Sequence, residues 1–317
     1  MSRPCFIAGD WGTSTLRLSL CDAAGSICDT KSGPGVAASA GTPAEIFSAL
    51  VAEWDRSHGR LPALLCGMAG STLGWREAPY LSCPVHPRDI AHGVVRFDEA
   101  GRSIVVAPGL SCRNRLLSPD VMRGEETQIL GALRCDPELS KGDHVLCLPG
   151  THTKWVMLRG GMIEDFLTGL TGELFDILRR HSILVGVSPQ NRGKTSKAFA
   201  QALEKTAIHP DADLIHLLFA TRSLQLTGTL SPHDAEDYLS GLIIGQDVAG
   251  ILRLFDTELS ATPCVTVIGA PELADVYRLA LELRGLSVVY LPGAQASLAG
   301  LAALHEILTS RGMAHAS

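Results

Sequence analysis

Residues 6–20 read FIAGDWGTSTLRLSL, and this stretch decides the fold. An apolar run ends at an aspartate, a turn with glycine follows, and a second apolar run begins. The pattern predicts strands over residues 4–10 and 14–21, with a third strand over 27–32 completing a meander. Asp, Ser and Thr are unfavourable in strands because their side chains bond to nearby backbone, so this turn needs another reason for its composition.

The composition is that of an ordinary globular protein, with 46% apolar and 19% charged residues among 317. This length favours two domains or one duplicated fold. No run of about 18 apolar residues occurs, and the start MSRPCF lacks the apolar segment of a signal peptide, so we expect a cytoplasmic protein without a membrane partner. The net charge of −6 gives no reason to expect a nucleic-acid partner.

The nine cysteines are an odd number and are scattered without a CxxC pair or a zinc-type spacing. We therefore expect buried free thiols rather than disulfides or a metal site.

A strand–turn–strand–strand pattern occurs twice, once from residue 5 and once from residue 144, where HVLCLPG meets a turn rich in threonine. The first copy continues with a helix over 43–58 and a strand over 62–68. This order, βββαβ, excludes a Rossmann fold, which begins βαβ. We expect a domain boundary near 135–142, and thus domains over residues 1–138 and 139–317.

The remaining chain is mostly helical. A helix is predicted from Asp120 onward in DVMRGEETQILGAL, after an acidic first turn. Strands are predicted in PCVTVIG and LSVVYL, the first followed by the helix ELADVYRLALEL. The other predicted helices span residues 172–180, 194–206, 212–221, 232–254 and 294–310.

The first turn, within GDWGTSTLR at residues 9–17, places Asp10 at the end of a strand and then presents backbone N–H groups and hydroxyls. Successive donors of this kind bind anions, and a carboxylate beside them can hold Mg²⁺. The alternative is a hairpin whose Asp and Thr side chains only satisfy the turn itself.

The second turn, within LPGTHTKWV at residues 148–156, repeats the strand and the hydroxyl-bearing reversal. Lys154 adds a cation for a phosphate oxygen. A solvated hairpin is again the alternative, but two such turns facing each other would hold one triphosphate from both sides. The pair therefore predicts ATP and Mg²⁺ as cofactors.

RGEETQ, residues 123–128, carries two adjacent carboxylates near a predicted helix start. Acidic residues there ordinarily just favour the helix dipole. In the functional interpretation, one of these carboxylates accepts the proton of the acceptor hydroxyl or orients that hydroxyl, and the other helps to hold the metal. We prefer Glu125 as the base, with Glu126 next and Asp120 third.

Two further segments have both a functional and a structural interpretation. In VIGAPELADVYRLAL, residues 267–281, Gly269 and Ala270 leave room for a flat ring and Glu272 reaches a ribose hydroxyl, although an ordinary strand–helix corner explains the same residues. GMAGSTLGWREAPY, residues 67–80, is either a ligand-binding loop or a structural lid with Trp75 packed beneath it.

SILVGVSPQNRGKTS, residues 182–196, is a false match to a phosphate-binding GKT loop. The Walker pattern requires glycine at position 188, which is Ser188 here, and Gly186 lies two places early.

The segments DWGTSTLRL, GMAGSTLGWREAPY, MRGEETQILG, LPGTHTKWV and VIGAPELADVY, in this order over nearly the whole chain, resemble the 2-dehydro-3-deoxygalactonokinase family of the sugar kinase, heat-shock ATPase and actin superfamily. The resemblance implies an α/β fold of two ribonuclease H-like domains (the actin-like ATPase fold) with an interdomain cleft that closes around the substrate. It also implies transfer of the γ-phosphate of ATP to the terminal hydroxyl of a 2-keto-3-deoxy sugar acid.

By the same resemblance each segment acquires a role. Asp10 is both catalytic and the metal residue, beside the two carboxylates Glu125 and Glu126. The nucleotide residues implied are Gly12, Thr13, Ser14, Thr15, Gly150, Thr151, His152, Thr153, Lys154, Gly269, Ala270 and Glu272. The substrate residues implied are Arg17, Met68, Gly70, Ser71, Trp75, Arg76 and Arg123.

The second turn departs from the superfamily pattern, which begins this hairpin with Asp, because Pro149 and Gly150 stand there. This departure argues against a metal role for the second turn. Arg76, Arg17 and Arg123 are the candidates for binding the substrate carboxylate.

Two rival functions remain open at this stage, an exopolyphosphatase-like hydrolase and a non-catalytic ATP-binding sensor of the same superfamily. The sequence also leaves open whether the sugar acid is of the galactonate or gluconate type, since the two differ at one carbon. A homodimer is the default expectation for the oligomeric state.

Overall fold

The computed structural model describes residues 3–38, 41–186 and 196–314. Its strands are β1 (Pro4–Trp11), β2 (Thr15–Asp22), β3 (Ile27–Pro34), β4 (Ala63–Gly67), β5 (Tyr80–Ser82), β6 (Val95–Glu99), β7 (Arg102–Val106), β8 (Gly109–Arg113), β9 (Pro119–Met122), β10 (Asp143–Leu148), β11 (Thr153–Arg159), β12 (Met162–Gly169), β13 (Cys264–Gly269) and β14 (Ser287–Pro292). Its α-helices are α1 (Pro43–His58), α2 (Glu125–Cys135), α3 (Thr171–His181), α4 (Lys197–Ile208), α5 (Leu214–Leu226), α6 (Ala235–Leu254), α7 (Asp256–Ala261), α8 (Pro271–Glu282) and α9 (Gly293–Ala314).

The chain forms two compact units. Unit 1 comprises Met1–Gly142, Leu158–Phe166 and Gly293–Ser317, and unit 2 comprises Asp143–Met157 and Leu167–Pro292. The last helix therefore belongs to the first unit, whereas the expected division at residue 138 assigned it to the second domain. That division into two functional domains stays a prediction.

The sheet of unit 1 has the strand order β3-β2-β1-β4-β7-β6. β2 is antiparallel to β1 and β3, and β4 runs parallel to β1 and β7. One face packs on α1 through a cluster that includes Trp11, Phe47 and Trp54, and the other face packs on α9 through Phe6, Leu301 and Leu304. Both faces are therefore buried, which explains the nearly continuous apolar run of β1.

The second sheet repeats this order as β12-β11-β10-β13-β14, with β13 parallel to β10 and β14. A meander followed by parallel strands on the far side of its first strand is the arrangement of a ribonuclease H-like unit. The repeat predicted from residues 5 and 144 is therefore confirmed.

The helix predicted over residues 43–58 is α1 to the residue. Thr42 accepts a hydrogen bond from the Glu45 N–H, and the Glu45 side chain accepts one from Thr42 N–H, so a capping box fixes the start. Pro43 occupies the first turn, where a missing N–H costs nothing.

The helices α2 and α9 cross at two glycines, Gly131 and Gly300. A Cβ atom at Gly131 would overlap the Ala296 carbonyl of α9, and one at Gly300 would overlap the Thr127 carbonyl of α2. The two backbones thus approach more closely than any side chain permits. This contact fixes the start of α2 relative to α9.

Two expectations from the sequence need correction. Asp120 does not begin a helix but lies in β9, which pairs with β8 in a small sheet ordered β5-β8-β9, and the helix begins only at Glu125. Residues 182–185, at the start of the segment that resembles a strand and a GKT loop, form bends instead of a strand. The GKT motif itself lies outside the described residues.

All nine cysteines are free, as expected, but only Cys21, Cys66 and Cys147 are buried, whereas Cys28 and Cys135 are exposed. Within the described ranges, no helix is long and apolar enough to cross a membrane.

Candidate active site

Asp10 lies at the end of β1, beside the Cys66 position of β4, and its two carboxylate oxygens have different neighbours. The Ser297 hydroxyl of α9 donates a hydrogen bond of 3.0 Å to Oδ2. The Cys66 thiol lies 3.9 Å from Oδ1, at the limit of a weak S–H donor. The side chain is only partly buried, so the carboxylate retains access to a ligand.

Two glycines bring the start of α2 next to this carboxylate. Gly67, at φ +73°, ends β4, and a Cβ atom there would lie 3.6 Å from Asp10 Oδ1. Gly124, at φ +109°, caps α2, and a Cβ atom there would lie 3.2 Å from Gly67 Cα. Only glycine adopts both backbone conformations without strain. The structure therefore brings Asp10 and the first turn of α2 together, as the sequence interpretation requires.

Glu125 and Glu126 begin α2 but have different surroundings. Glu125 is half-buried and its Oε2 accepts the Arg123 N–H at 3.0 Å. Glu126 is fully buried, with Oε2 accepting from Gly124 N–H at 2.6 Å and Oε1 accepting from the Thr127 hydroxyl at 2.9 Å. Glu125 alone of the two therefore has a side chain near solvent.

Burial, together with the charge of Glu125, raises the pKa of Glu126 to about 7 from an ordinary value of 4.5. The native protein then holds a proton that the unfolded chain has lost between these two pH values, so stability falls as pH rises through this window. We expect Glu126→Gln to flatten the decline, which amounts to at most about 3 kcal/mol for a shift of this size. Thermal melting of the wild type and of Glu126→Gln from pH 4.5 to 8 measures this decline in stability.

The exposed Glu138→Gln variant is the matched control, since its carboxylate pairs with Lys141 on the surface. It should keep the wild-type pH dependence. Equal slopes for all three proteins would show that Glu126 does not carry the buried proton.

The first turn, Gly12–Thr15, is tied back by the segment that follows β3. The Gly12 carbonyl accepts the Val36 N–H at 3.2 Å, and the Thr13 carbonyl accepts the Ala37 N–H at 3.0 Å. Because N–H and C=O of a trans peptide point in opposite directions, the N–H groups of Thr13 and Ser14 point away from that segment. Thr13 and Ser14 are exposed, so these N–H groups are accessible to a ligand.

The second turn carries a lysine whose side chain is largely buried. Lys154 in β11 is 5% exposed, and within the described part of the chain no hydrogen bond or ion pair holds its ammonium group. Its Nζ atom is not among the fully buried polar atoms that lack a partner, so the stem is buried while the ammonium group keeps contact with solvent. A cation placed in this way can pair with an anionic ligand, and the role of Lys154 stays a prediction.

The start of α3 packs on the same turn. The Thr151 carbonyl accepts the Glu173 N–H at 3.0 Å, His152 pairs with the Glu173 carboxylate, and a Cβ atom at Gly172 would lie 2.9 Å from Thr151 Cα. The His152 side chain is exposed, and its Nε2 atom is already paired with the Glu173 carboxylate.

Thr153 points into the interior of unit 2. Its hydroxyl lies 2.7 Å from the Thr171 hydroxyl and 2.9 Å from the Tyr277 hydroxyl, which in turn donates to Asp247 at 3.0 Å. Asp247 also accepts the Trp155 indole N–H at 3.0 Å, and burial raises its pKa to about 6. The Thr153 side chain therefore serves this buried network, which the sequence interpretation did not anticipate.

The predicted adenosine segment adjoins the second turn. A Cβ atom at Gly269 would meet the Pro149 ring at 3.2 Å, and Ala270 and Pro271 then begin α8. Ala270 and Glu272 are both exposed. The structure thus brings Gly269 and Ala270 next to Pro149 in unit 2.

The two turns can be compared position by position. Asp10 lies two residues before Gly12 of the first turn, and Leu148 lies two residues before Gly150 of the second. Leu148 is 3% exposed and belongs to the interior. Leu148, rather than Pro149 or Gly150, therefore stands at the position that corresponds to Asp10. Its apolar side chain offers no ligand to a metal at the second turn.

The loop after β4 holds the predicted substrate residues. Trp75 packs beneath it against Trp11, Phe47 and Phe97, with ring centroids 5.2–6.1 Å apart, as in the structural alternative. Arg76 is exposed and lies over the Phe97 ring. Met68 and Ser71 bracket a short 3-10 turn in which the Ser71 hydroxyl donates to the Met68 carbonyl.

Arg123 lies beneath the same loop. It donates to the Ala78 carbonyl at 2.7 Å and lies over the Tyr80 ring, 4.4 Å from its centroid. Its Nε and Nη1 atoms are buried without a hydrogen-bond partner among the described residues, and a Cβ atom at Gly70 would lie 2.7 Å from Nη1. Unsatisfied buried donors on a cation favour a nearby anion.

Arg17 stands opposite Asp10 on β2 and is exposed. It lines a cavity of about 480 Å³ on the α9 side of the sheet, together with Asp10, Ser19, Gln295 and Ser297. Arg17 therefore lies at the cavity on the α9 side of the sheet, whereas Arg123 lies beneath the loop after β4.

Magnesium fits Asp10. Mg²⁺ is usually bound by one or two carboxylates while water and substrate phosphates complete its ligands. Within the described residues no group of three or more His, Cys, Asp or Glu side chains is arranged to hold a metal by itself. A single accessible carboxylate beside an anion-binding turn suits a metal that arrives with a nucleotide.

Ser297, Gln128 and Cys66 were missed by the sequence interpretation. Ser297 belongs to the last helix and Cys66 to a buried strand, so nothing near them in the sequence signals a site. Only the tertiary contacts of α9 and β4 bring them to Asp10.

Two ribonuclease H-like units define the actin-like ATPase fold, the class that includes many sugar kinases. The profile of the family described as 2-keto-3-deoxy-galactonokinase matches residues 10–304. The chain therefore belongs to the 2-keto-3-deoxy-galactonokinase family, whose members are phosphotransferases with an alcohol acceptor.

Individual relatives agree with this assignment. A relative from Rhizobium meliloti (strain 1021), named "Probable 2-dehydro-3-deoxygalactonokinase", is 38% identical, over 94% of this chain and 95% of the relative. The 2-dehydro-3-deoxygalactonokinase of Escherichia coli (strain K12) is 33% identical, over 93% and 96%. A crystal structure of a 2-dehydro-3-deoxygalactonokinase protein from Sinorhizobium meliloti has a TM-score of 0.83 at 36% identity, over 96% of this chain and 99% of that one.

Proposed function

We propose that this protein transfers the γ-phosphoryl group of ATP to the terminal hydroxyl of 2-dehydro-3-deoxy-D-galactonate, giving the 6-phosphate and ADP in galactonate catabolism. Membership of the kinase family supports the reaction type and the sugar acid. The structural observation that carries the proposal is the grouping of Asp10 with the start of α2, where Glu125 lies near solvent.

Phosphoryl transfer needs little covalent help from the protein, so positioning and charge neutralisation account for most of the catalysis. Bound Mg²⁺ supplies positive charge to the phosphate oxygens. We assign Asp10 to hold this ion, and the N–H groups of Thr13 and Ser14 to bind phosphate oxygens at the first turn. Thr15 and Gly12 shape that turn.

We assign to Glu125, rather than to Glu126, the role of accepting the proton of the substrate hydroxyl. A base must reach the hydroxyl that it deprotonates, and Glu125 is half-buried whereas both oxygens of Glu126 are committed to Gly124 and Thr127. Glu126 then acts by holding the start of α2 in place.

Arg123 is our candidate for the substrate carboxylate, because its guanidinium has two unsatisfied donors beside Gly70. Arg76 already lies over Phe97 and is exposed. Gly269 and Ala270 are assigned to adenosine on the strength of their position beside Pro149.

We assign Lys154 to the phosphates of ATP, and Lys154→Met tests this role. Loss of a charge-assisted hydrogen bond is worth about 1.5–3 kcal/mol, so we expect ADP and ATP to bind about 10- to 100-fold more weakly. Stability should stay nearly equal, because Lys154 makes no hydrogen bond or ion pair with the described residues and methionine keeps the apolar packing of its buried stem. Calorimetric titration with ADP and thermal melting measure the two effects.

Lys141→Met is the control, since Lys141 is exposed and pairs with Glu138 at the surface. It should bind ADP like the wild type. Unchanged ADP affinity in Lys154→Met would remove Lys154 from the nucleotide site.

The deciding experiment is a coupled ADP-release assay across 2-keto-3-deoxy sugar acids of both the galactonate and gluconate type. We expect ATP turnover only with a sugar acid, and fastest with the galactonate derivative. Phosphate release from polyphosphate without sugar would instead favour the hydrolase, and ATP binding without turnover would favour the sensor.

The setting of the reaction also remains a proposal. Nine free thiols suit a reducing compartment, and we place the protein in the cytoplasm. A homodimer stays a prediction that sedimentation can test.

A further inference from the structure

We propose that Gln128 and Ser297 form a hydrogen-bond relay that orients the Asp10 carboxylate, so that Oδ2 is held by the protein and Oδ1 is presented to the metal. Ser297 and Gln128 are positioning residues in this scheme, since they act through Asp10. The inference rests on the role of Asp10 in the proposed function.

The relay is a chain of two hydrogen bonds across three elements of unit 1. Gln128 Nε2 on α2 donates to Ser297 Oγ at 3.3 Å, and Ser297 Oγ on α9 donates to Asp10 Oδ2 at 3.0 Å. Ser297 is 3% exposed, so its hydroxyl is largely shielded from water although the residue lines the cavity beside Asp10. A buried hydroxyl with two partners is held in one rotamer.

The direction of the relay follows from the chemistry of its members. The amide nitrogen of Gln128 can only donate, and the carboxylate of Asp10 can only accept. The single proton of the Ser297 hydroxyl therefore goes to Asp10, while its lone pair receives the amide N–H. Without Gln128 the hydroxyl would be free to rotate away from Asp10.

The position of the second oxygen completes the argument. Asp10 Oδ1 lies on the side of Gly67, against which Gly124 and the start of α2 pack. With Oδ2 committed to Ser297, Oδ1 is left with only the weak contact of the Cys66 thiol at 3.9 Å on the side of Gly67. The relay thus sets the rotation of the carboxylate about its last bond, which a strand position alone leaves broad.

The crossing of α2 and α9 keeps the relay in register. Gly131 and Gly300 allow the two backbones to touch within one turn of Gln128 and Ser297. A shift of either helix would lengthen the bond between these side chains, because each is fixed to its own helix.

The test compares Ser297→Ala with Ser310→Ala. Ser310 is exposed near the end of the same helix, and among the described residues its hydroxyl bonds to the Glu306 carbonyl alone. Removing a residue that orients a metal-binding side chain typically lowers metal affinity or activity 10- to 100-fold. We expect Ser297→Ala to lower kcat by about that factor, with the KM of the sugar acid unchanged. Ser310→Ala should match the wild type.

Calorimetry gives a readout that does not depend on turnover. ADP is titrated with and without Mg²⁺, and the gain in affinity on adding Mg²⁺ is compared between proteins. We expect Ser297→Ala to lose about tenfold or more of this gain while metal-free ADP binds as in the wild type. Gln128→Leu should act in the same direction, and the double variant should be no worse than Ser297→Ala alone, because the two bonds act in series.

Two outcomes would overturn the relay. One is a Ser297→Ala protein equal to Ser310→Ala in both assays, and the other is an equal loss of ADP affinity with and without Mg²⁺. A wild-type protein that phosphorylates no sugar acid would sink the proposed function instead, and the Mg²⁺-dependent ADP titration would still decide the relay.

Discussion

Asp10→Asn is expected to lower kcat by about 10²–10³-fold, the usual cost of removing one group that stabilises developing charge at a reaction centre. The amide keeps the shape of the side chain and still offers an oxygen to Ser297, so the protein should fold and melt normally. It lacks the negative charge with which a carboxylate attracts Mg²⁺. The coupled ADP-release assay with 2-dehydro-3-deoxy-D-galactonate measures the loss.

Asp98→Asn is the matched control for this experiment. Asp98 is exposed on β6 of the same unit and accepts only the Gly101 N–H of the following turn. It should retain full activity. An Asp10→Asn enzyme with most of its wild-type rate would refute the metal and catalytic assignment of Asp10.

Gly131→Ala is expected to cost about 3 kcal/mol of unfolding free energy or more, at the upper end of the cost of overpacking. The added methyl would overlap the Ala296 carbonyl, and backbone cannot rotate aside as a side chain does. We expect the melting temperature to fall by roughly 5–10 °C. Thermal melting by circular dichroism measures this, and Gly300→Ala should behave alike because its methyl would overlap the Thr127 carbonyl.

Gly250→Ala provides the contrast within a helix. Gly250 lies in α6, and a Cβ atom there would meet only the end of the Arg253 side chain at 4.0 Å. Because alanine is the better helix former by about 1 kcal/mol, this change should stabilise the protein slightly. Equal losses of stability for Gly250→Ala and Gly131→Ala would show that the close crossing of α2 and α9 is not what makes alanine costly at Gly131.

Local signals in the sequence predicted much of the fold. The helix start at Thr42 and Pro43, the strand–turn–strand pattern of residues 6–20 and its second copy from residue 144 are all short-range patterns. Each arises from backbone chemistry within a few residues, so no tertiary knowledge was needed. The grouping of Asp10 with the start of α2 was predicted through the family resemblance.

Other features depend on contacts between distant segments, which no local pattern encodes. Asp120 looked like the acidic start of a helix, yet pairing with β8 drew it into a strand. Thr153 looked like a phosphate ligand, yet its hydroxyl joins Thr171 and Tyr277 in the interior. Ser297 had no signal at all, because its partner Asp10 lies at the opposite end of the chain.

The place of α9 in unit 1 has a consequence for biosynthesis. Leu301 and Leu304 complete the core cluster that also contains Phe6 and Leu64, yet the ribosome makes them after the whole of unit 2, which ends at Pro292. Unit 1 therefore becomes complete only after unit 2 has been synthesised. A protein truncated before Gly293 lacks both the core helix of unit 1 and the hydroxyl that bonds to Asp10.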